Sequence, residues 1–161
     1  MLKVFQLRVA RSVLGLGVRD IGVYINLSRS TISKIERKEI ITNLDIKEEQ
    51  NTILVKIFND KGIFFSDENT ISYKKESLSC NDYLTRFQLR GGRAILGLSQ
   101  RELSENTGIE KNVLNYLENL PNTSHIYKAD EIQNDVNSKL KDFFHKNNIS
   151  FPTENTIKIN S

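Results

Sequence analysis

The sequence predicts a mainly α fold with short β-hairpins: two tandem helix-turn-helix units, each followed by a long helix and a two-stranded hairpin, arranged as a pseudo-dimer. Three observations predict it. First, Phe5-Gln6-Leu7-Arg8 returns as Phe87-Gln88-Leu89-Arg90, Leu14-Gly15-Leu16 as Leu96-Gly97-Leu98 and Glu36 as Glu118, all 82 positions on, with 10 of the 32 pairs between Phe5 and Glu36 identical. Second, Glu68-Asn69-Thr70-Ile71 returns as Glu154-Asn155-Thr156-Ile157, now 86 positions on, so the later copy holds four extra residues. Third, each copy is punctuated by Gly, Asn, Ser and Thr where short helices must stop and start. Self-similarity at a period of about eighty residues marks a duplicated structural unit. Residues 1–74 form the first unit, 75–82 a linker and 83–161 the second.

The second copy justifies its elements most directly. Leu84, Phe87, Leu89, Ala94, Ile95 and Leu96 suit a first helix that stops at Gly97, which can take the left-handed conformation that closes a helix. Ser99 then caps a short second helix, with Glu102 three residues on completing a capping box. Leu103 points inward, and Asn106-Thr107-Gly108 ends the helix in a tight turn. A third helix follows from Glu110 to about Asn119, burying Val113, Leu114 and Leu117. In the first copy Gly15, Ile21, Asn26, Ile32 and Ile35 hold the corresponding places. Asn is the residue most readily accepted for Gly in a left-handed position. Gly22 and Ser104 keep a small residue where two helices are expected to cross closely. A short helix, tight turn and second helix docked on an earlier one is the helix-turn-helix arrangement.

Downstream, Ile46, Leu54, Ile57 and Phe58 match Ile132, Leu140, Phe143 and Phe144, and their spacing draws the apolar stripe of a longer helix. The four extra residues then fall before that helix, between Leu120 and Lys128. Ile63-Phe64-Phe65 and Thr70 to Tyr73 bracket Asp67-Glu68-Asn69 as a hairpin, and Ile149 to Phe151 with Thr156 to Ile159 repeat it. An isolated two-stranded hairpin is marginal in water, so the two hairpins are expected to meet and hold the units about an approximate two-fold axis.

Composition narrows the function. A chain of 161 residues with 38% apolar content buries one medium core or two small ones, and the duplication favours two. One cysteine, Cys80, leaves no disulfide framework or cysteine zinc site and fits a reducing, cytoplasmic compartment. No apolar run approaches membrane-spanning length, so no membrane partner is expected. His125 and His145 lack a second ligand at metal spacing, and no phosphate loop or nucleophile-base pattern stands out. The expectation is a protein that is not an enzyme and uses no cofactor or metal.

The formal net charge of +3 matters less than its placement. Residues 1–38 carry eight basic against two acidic groups, a net of +6, whereas residues 83–120 carry five against four, a net of +1. A basic front half points to a polyanionic partner, although charge on a helix is often only a solvated face.

Leu98-Ser99-Gln100-Arg101-Glu102-Leu103-Ser104, followed by Gly108-Ile109 and closed by Leu117-Glu118, resembles the lambda-repressor-like, or Cro/XRE, family of helix-turn-helix DNA-binding domains. In the first copy Leu27-Ser28-Arg29-Ser30-Thr31-Ile32-Ser33-Lys34-Ile35-Glu36 is the closer match. The resemblance covers the first half of each unit. It implies double-stranded DNA as the partner, with the third helix in the major groove and the start of the second helix on a phosphate. Carried over, the base-facing positions are Ser28, Arg29, Ser30, Thr31, Ser33 and Lys34 in the first unit and Glu110, Lys111, Asn112, Asn115 and Tyr116 in the second. Arg can take guanine bidentately, Asn112 can pair with adenine, and Glu110 can accept from cytosine or equally repel a phosphate.

Ser99, Gln100 and Arg101 form the second unit's phosphate-facing start. In the first unit Gly17 and Val18 replace the cap and the amide, and Arg19 offers charge in their place. Arg8, Arg11, Arg90 and Arg93 are expected to pair with acids or phosphates and not to read bases. The implied function is a sequence-specific transcriptional regulator, a repressor, whose fused units imitate a dimer on adjacent half-sites, with further self-association left open. The alternative is an interaction or antagonist module that keeps the fold and binds a protein.

Overall fold

A computed structural model describes residues 1–74 and 82–160. The first repeat runs α1 (Val4–Val13), α2 (Val18–Ile25), α3 (Arg29–Glu36), α4 (Glu48–Asp60), β1 (Ile63–Phe64) and β2 (Thr70–Tyr73). The second runs α5 (Arg86–Leu96), α6 (Gln100–Thr107), α7 (Lys111–Glu118), α8 (Ala129–Ile132), α9 (Val136–Lys146), β3 (Ile149–Ser150) and β4 (Thr156–Ile159). The chain is therefore mainly helical with one small antiparallel sheet. Most of the expected linker, including Cys80, lies outside the described residues.

The two hairpins build that sheet together, in the order β1-β2-β4-β3. At its centre β2 and β4 run antiparallel, with Ile71 opposite Ile157, Thr70 opposite Lys158 and Ser72 opposite Thr156. Ile157 is the repeat equivalent of Ile71, so the strands meet at their own matching position. The flanking bonds are reciprocal too: Tyr73 N donates to Asn155 O at 2.9 Å and Ile159 N to Asn69 O at 3.0 Å. Each hairpin supplies the strand that the other lacks.

Above the sheet α1 packs along α5. Close approach is possible because α5 carries Gly91 and Gly92: a Cβ at Gly91 would stand 2.3 Å from Ile157 Cδ1 and 3.1 Å from Val9 Cγ1, and one at Gly92 would stand 2.7 Å from the Phe144 ring. Glycine inside a helix costs about 1 kcal/mol relative to alanine. Here that cost is offset by contact between α5, α1, β4 and α9.

Ile132 does not open the stripe of the long second-repeat helix; it ends the four-residue α8 and is 62% exposed. The chain turns extended at Gln133 and left-handed at Asp135 before α9 begins. The reason is tertiary: the Gln133 side chain accepts from Glu110 N at 3.0 Å and donates to Gly108 O at 2.9 Å, pulling the backbone out of the helix to fasten the α6–α7 turn. Ile46 likewise lies just before α4, whose cap is Lys47.

Gln6 and Gln88 join helices to sheet. Both are buried, at 2% and 1% exposure, and both belong to the repeated Phe-Gln-Leu-Arg string. Gln6 Nε2 donates to Asp67 O at 3.0 Å and Thr70 O at 3.1 Å; Gln88 Nε2 donates to Thr153 O at 2.6 Å and Thr156 O at 3.1 Å. Each Oε1 meanwhile accepts the backbone N–H that starts its own helix, Lys3 N at 2.9 Å and Thr85 N at 3.0 Å. Leucine at either position would leave these groups without their partner. Gln6→Leu and Gln88→Leu are each expected to lower unfolding free energy by about 1–3 kcal/mol, the cost of a buried polar group left unpaired, as read from urea denaturation.

Candidate nucleic-acid interface

The two helix-turn-helix segments reach the same backbone path with different residues. Asn26 (φ 53°) and Gly108 (φ 72°) both close the second helix in the left-handed conformation, as the sequence predicts. Ser99 Oγ accepts from Glu102 N at 3.1 Å, and Glu102 returns a bond from Ser99 N at 2.7 Å, forming the expected capping box. In the first repeat Gly17 has no cap to offer, yet Asp20 accepts from Gly17 N at 2.6 Å, so half of the box survives. The small residue at 22 and 104 has a sharper cause than helix crossing. A Cβ at Gly22 would stand 2.4 Å from Leu27 O in the turn, and at the equivalent place Ser104 Oγ donates to Ile109 O at 2.6 Å.

On α3 the capping residue Ser28 accepts from Thr31 N at 3.1 Å, and its hydroxyl also meets Ser30 Oγ at 2.9 Å and Thr31 Oγ1 at 2.8 Å. Arg29 and Lys34 stand exposed while Ile32 and Ile35 are buried, and Ser33 is half-buried toward α1. On α7 Glu110, Lys111, Asn112 and Asn115 are exposed and Tyr116 is 43% exposed. Asn115 also lends its carbonyl to Asn119 Nδ2 at 2.9 Å. Gln100, expected at a phosphate, instead directs its amide to Glu118 Oε2 at 2.8 Å. Arg101 forms a solvated pair with Glu105 at 3.0 Å.

Behind these faces lie two inward carboxylates at the repeated glutamate. Arg11 grips Glu36 through Nε at 2.7 Å and Nη2 at 2.9 Å; Arg93 grips Glu118 through Nε at 3.1 Å and Nη2 at 2.6 Å. The expected pairing of the first-helix arginines with acids holds for Arg11 and Arg93 and, at the longer distance of 3.9 Å to Glu118, for Arg90. Arg8, Arg86 and Arg90 have another role, one missed in the sequence. Each reaches across to the carbonyl end of the opposite first helix: Arg8 to Ile95 O at 3.2 Å, Arg90 to Ser12 O and Arg86 to Val13 O, both at 3.0 Å. Cations at helix C-termini satisfy orphan carbonyls and oppose the helix dipole. Burial holds the Arg8 guanidinium below its ordinary value, with Glu36 opposing and Arg11 reinforcing the shift. Burial lowers Arg86 in the same way, helped by Arg90. The signal for these contacts was the identity of Arg8 with Arg90, but their targets lie in the other repeat.

With these partners assigned, the charge asymmetry becomes specific. Of the basic residues in 1–38, Lys3 pairs with Glu68, Lys38 with Asp45, and Arg8 and Arg11 turn inward. Arg19, Arg29, Lys34 and Arg37 are exposed and have no ion pair or side-chain hydrogen bond among the described residues. In 83–120 only Lys111 is in that condition. The described residues contain no cluster of His, Cys, Asp and Glu able to hold a metal ion. Among the described residues no helix is long and apolar enough to cross a membrane. Comparison with family models, with curated proteins and with solved structures gives no match.

The Glu118 side chain is 1% exposed and serves Arg90, Arg93 and Gln100, whereas that of Glu36 is 11% exposed and serves Arg11. Removing one partner of a buried pair costs about 3–5 kcal/mol. Glu118→Ala should approach that range and Glu36→Ala should fall below it in equilibrium unfolding. Separately, the hydrogen bonds from Ser99 hold the Glu102 carboxyl below its ordinary value. A lowered carboxyl pKa stabilises the fold above the unfolded value and ceases to do so as pH falls through the folded one. Wild type and Glu102→Ala should therefore differ in urea midpoint at pH 7, with the difference shrinking as pH falls below the ordinary carboxyl value and vanishing only below the lowered folded one.

Proposed function

We propose that the protein is a sequence-specific double-stranded DNA-binding regulator, a repressor, of the lambda-repressor-like helix-turn-helix class. The observation that supports this most is the set of four exposed, unpaired cations, Arg19, Arg29, Lys34 and Arg37, concentrated on the helices of the first repeat. Cations that serve neither packing nor pairing suit a polyanion. Arg29 and Lys34 stand on the exposed side of α3 among Ser28, Ser30 and Thr31, a mixture able to meet both phosphates and base edges.

The pairing of Ile71 with Ile157 supports a pseudo-two-fold arrangement. On this reading the chain is a fused dimer, and α3 and α7 address half-sites about 34 Å apart, one turn of DNA. Fusion makes the second docking event intramolecular, so a weak second reader still contributes through effective concentration. Since α3 and α7 present different residues, the half-sites would not be a perfect inverted repeat.

A second reading, a module that binds protein through its second repeat, draws on the exposed Tyr116, Tyr127 and Ile132. Anisotropy titration on mixed-sequence duplex at two salt concentrations separates the two. DNA binding gives an affinity that falls steeply with salt, by a slope near 0.9 per phosphate contact, whereas salt-independent or absent binding favours the protein partner. On a site selected from a random pool, Arg29→Ala with Lys34→Ala should weaken binding more than Lys111→Ala with Asn112→Ala. Each lost bidentate base contact is worth roughly 1–3 kcal/mol. The opposite ranking would make the second repeat the principal reader.

A further inference from the structure

The C-terminal ends of α1 and α5 do not close on one another. Between them, walled on one side by α3 and on the other by the turn at Gly97, lies a cleft of about 600 Å³. Five arginines line it, Arg8, Arg11, Arg37, Arg90 and Arg93, and Glu36 is the acidic residue in its wall. Glu118 stands behind, against Arg93 and Arg90. Five guanidinium groups facing two carboxylates leave an excess of three positive charges. The two helix C-termini offset roughly half a charge each, so the cleft remains about two charges positive.

Such an excess is unfavourable in a partly desolvated space, and an anion there relieves it. The donors are also in place. Arg37 makes no side-chain hydrogen bond or ion pair among the described residues. Arg90 uses Nε for Ser12, while its Nη atoms make no hydrogen bond there, the nearest acid oxygen being Glu118 Oε1 at 3.9 Å from Nη1. Arg8 and Arg11 are already oriented by backbone carbonyls and by Glu36, so their remaining N–H groups need no reordering. Guanidinium forks held in fixed geometry match the oxygens of phosphate and carboxylate anions. The balance of charge suits a dianion.

We propose that this cleft is a phosphate site shared by both repeats, filled either by a free phosphorylated small molecule or by a phosphate of bound DNA. The site stands on its own geometry and does not require the DNA-binding reading. A ligand here touches α1, α3 and α5 at once, so it couples α3 to the contact between repeats.

The test uses the full chain, wild type, Arg37→Glu and Lys61→Glu. Arg37 is exposed and supports no other group, so its variant should fold; Lys61, exposed beyond α4, carries the same charge change outside the cleft. Inorganic phosphate is titrated calorimetrically at constant ionic strength, and duplex DNA is titrated across a salt series. If a free phosphate is the ligand, wild type and Lys61→Glu bind it alike, and Arg37→Glu binds it about tenfold or more weakly, the loss expected for a charge-assisted contact. If the phosphate belongs to DNA, inorganic phosphate does not distinguish the chains. Arg37→Glu then flattens the logarithmic salt slope by about 0.9 and Lys61→Glu leaves it unchanged. Should Arg37→Glu match Lys61→Glu in both titrations, the proposal is overturned, even if wild type binds DNA. A wild type with no salt-dependent DNA affinity would sink the regulator reading and leave the phosphate arm to decide this one.

Discussion

The close passage of α5 over α1 and β4 at Gly91 is the constraint on which the remaining architecture depends. With side-chain atoms of Ile157 and Val9 crowding the place where a Cβ would stand, no other residue fits without displacing them. The consequences are visible on α1. Val4, Phe5, Leu7, Val9, Ala10 and Val13 are all buried, more than one face of a ten-residue helix. A helix covering only its own unit shows a single apolar stripe. Here α1 packs against α3 of its own repeat and along α5 of the other, while Gln6 reaches the hairpin. Units of this size have little core of their own, and the shared layer makes one contiguous cluster from both.

That arrangement also explains the choice of polar groups near the seam. The last carbonyls of α1 and α5, Ser12, Val13 and Ile95, face the seam, and Arg8, Arg86 and Arg90 answer them from the opposite repeat. Gln6 and Gln88 do the comparable work at the other end, binding hairpin carbonyls that the sheet cannot reach. Among the described side chains no buried polar atom is left without a partner.

What was legible in the sequence was what local physics decides. Asn26 and Gly108 as left-handed stops, Ser99 with Glu102 as a capping box, and two hairpins after two longer helices all depend on neighbours within a few residues. The meeting of the hairpins was legible as well, because neither is stable alone. Gly91-Gly92 was not: within a helix the pair is a weakness, and its reason lies in Ile157 and Phe144, more than fifty residues downstream. Ile132 fitted the apolar stripe by spacing, yet Gln133 broke the helix to reach the α6–α7 turn. Among candidate site residues, identity was readable and availability was not. Arg8, Arg29 and Gln100 are all plausible phosphate ligands as letters. Only the positions of Glu36 and Glu118 separate the arginine that is occupied from the one that is free, and Gln100 belongs with the occupied group.

The distribution of differences between the repeats follows from the same division. Phe5, Gln6, Leu7, Arg8, Arg11 and Glu36 recur unchanged, and each has an internal partner or sits in the core, so a change in one strands another group. Arg19 and Arg101 are the exposed identical pair with no such duty, and they have separated in condition: Arg101 is paired with Glu105, and Arg19 is free. On the outer faces of α3 and α7 no position is shared: Ser28, Arg29, Ser30 and Lys34 face Glu110, Lys111, Asn112 and Tyr116. A dimer of identical chains cannot do this, because any change on one copy's outer face appears on both. Fusing the copies frees the two faces to differ while the buried Arg–Glu pairs hold each scaffold in place. The first repeat places its surplus charge outward; the second turns Gln100 and three arginines inward around Glu118 and the seam. Whatever surface the chain meets, it meets it with two unequal faces on one framework.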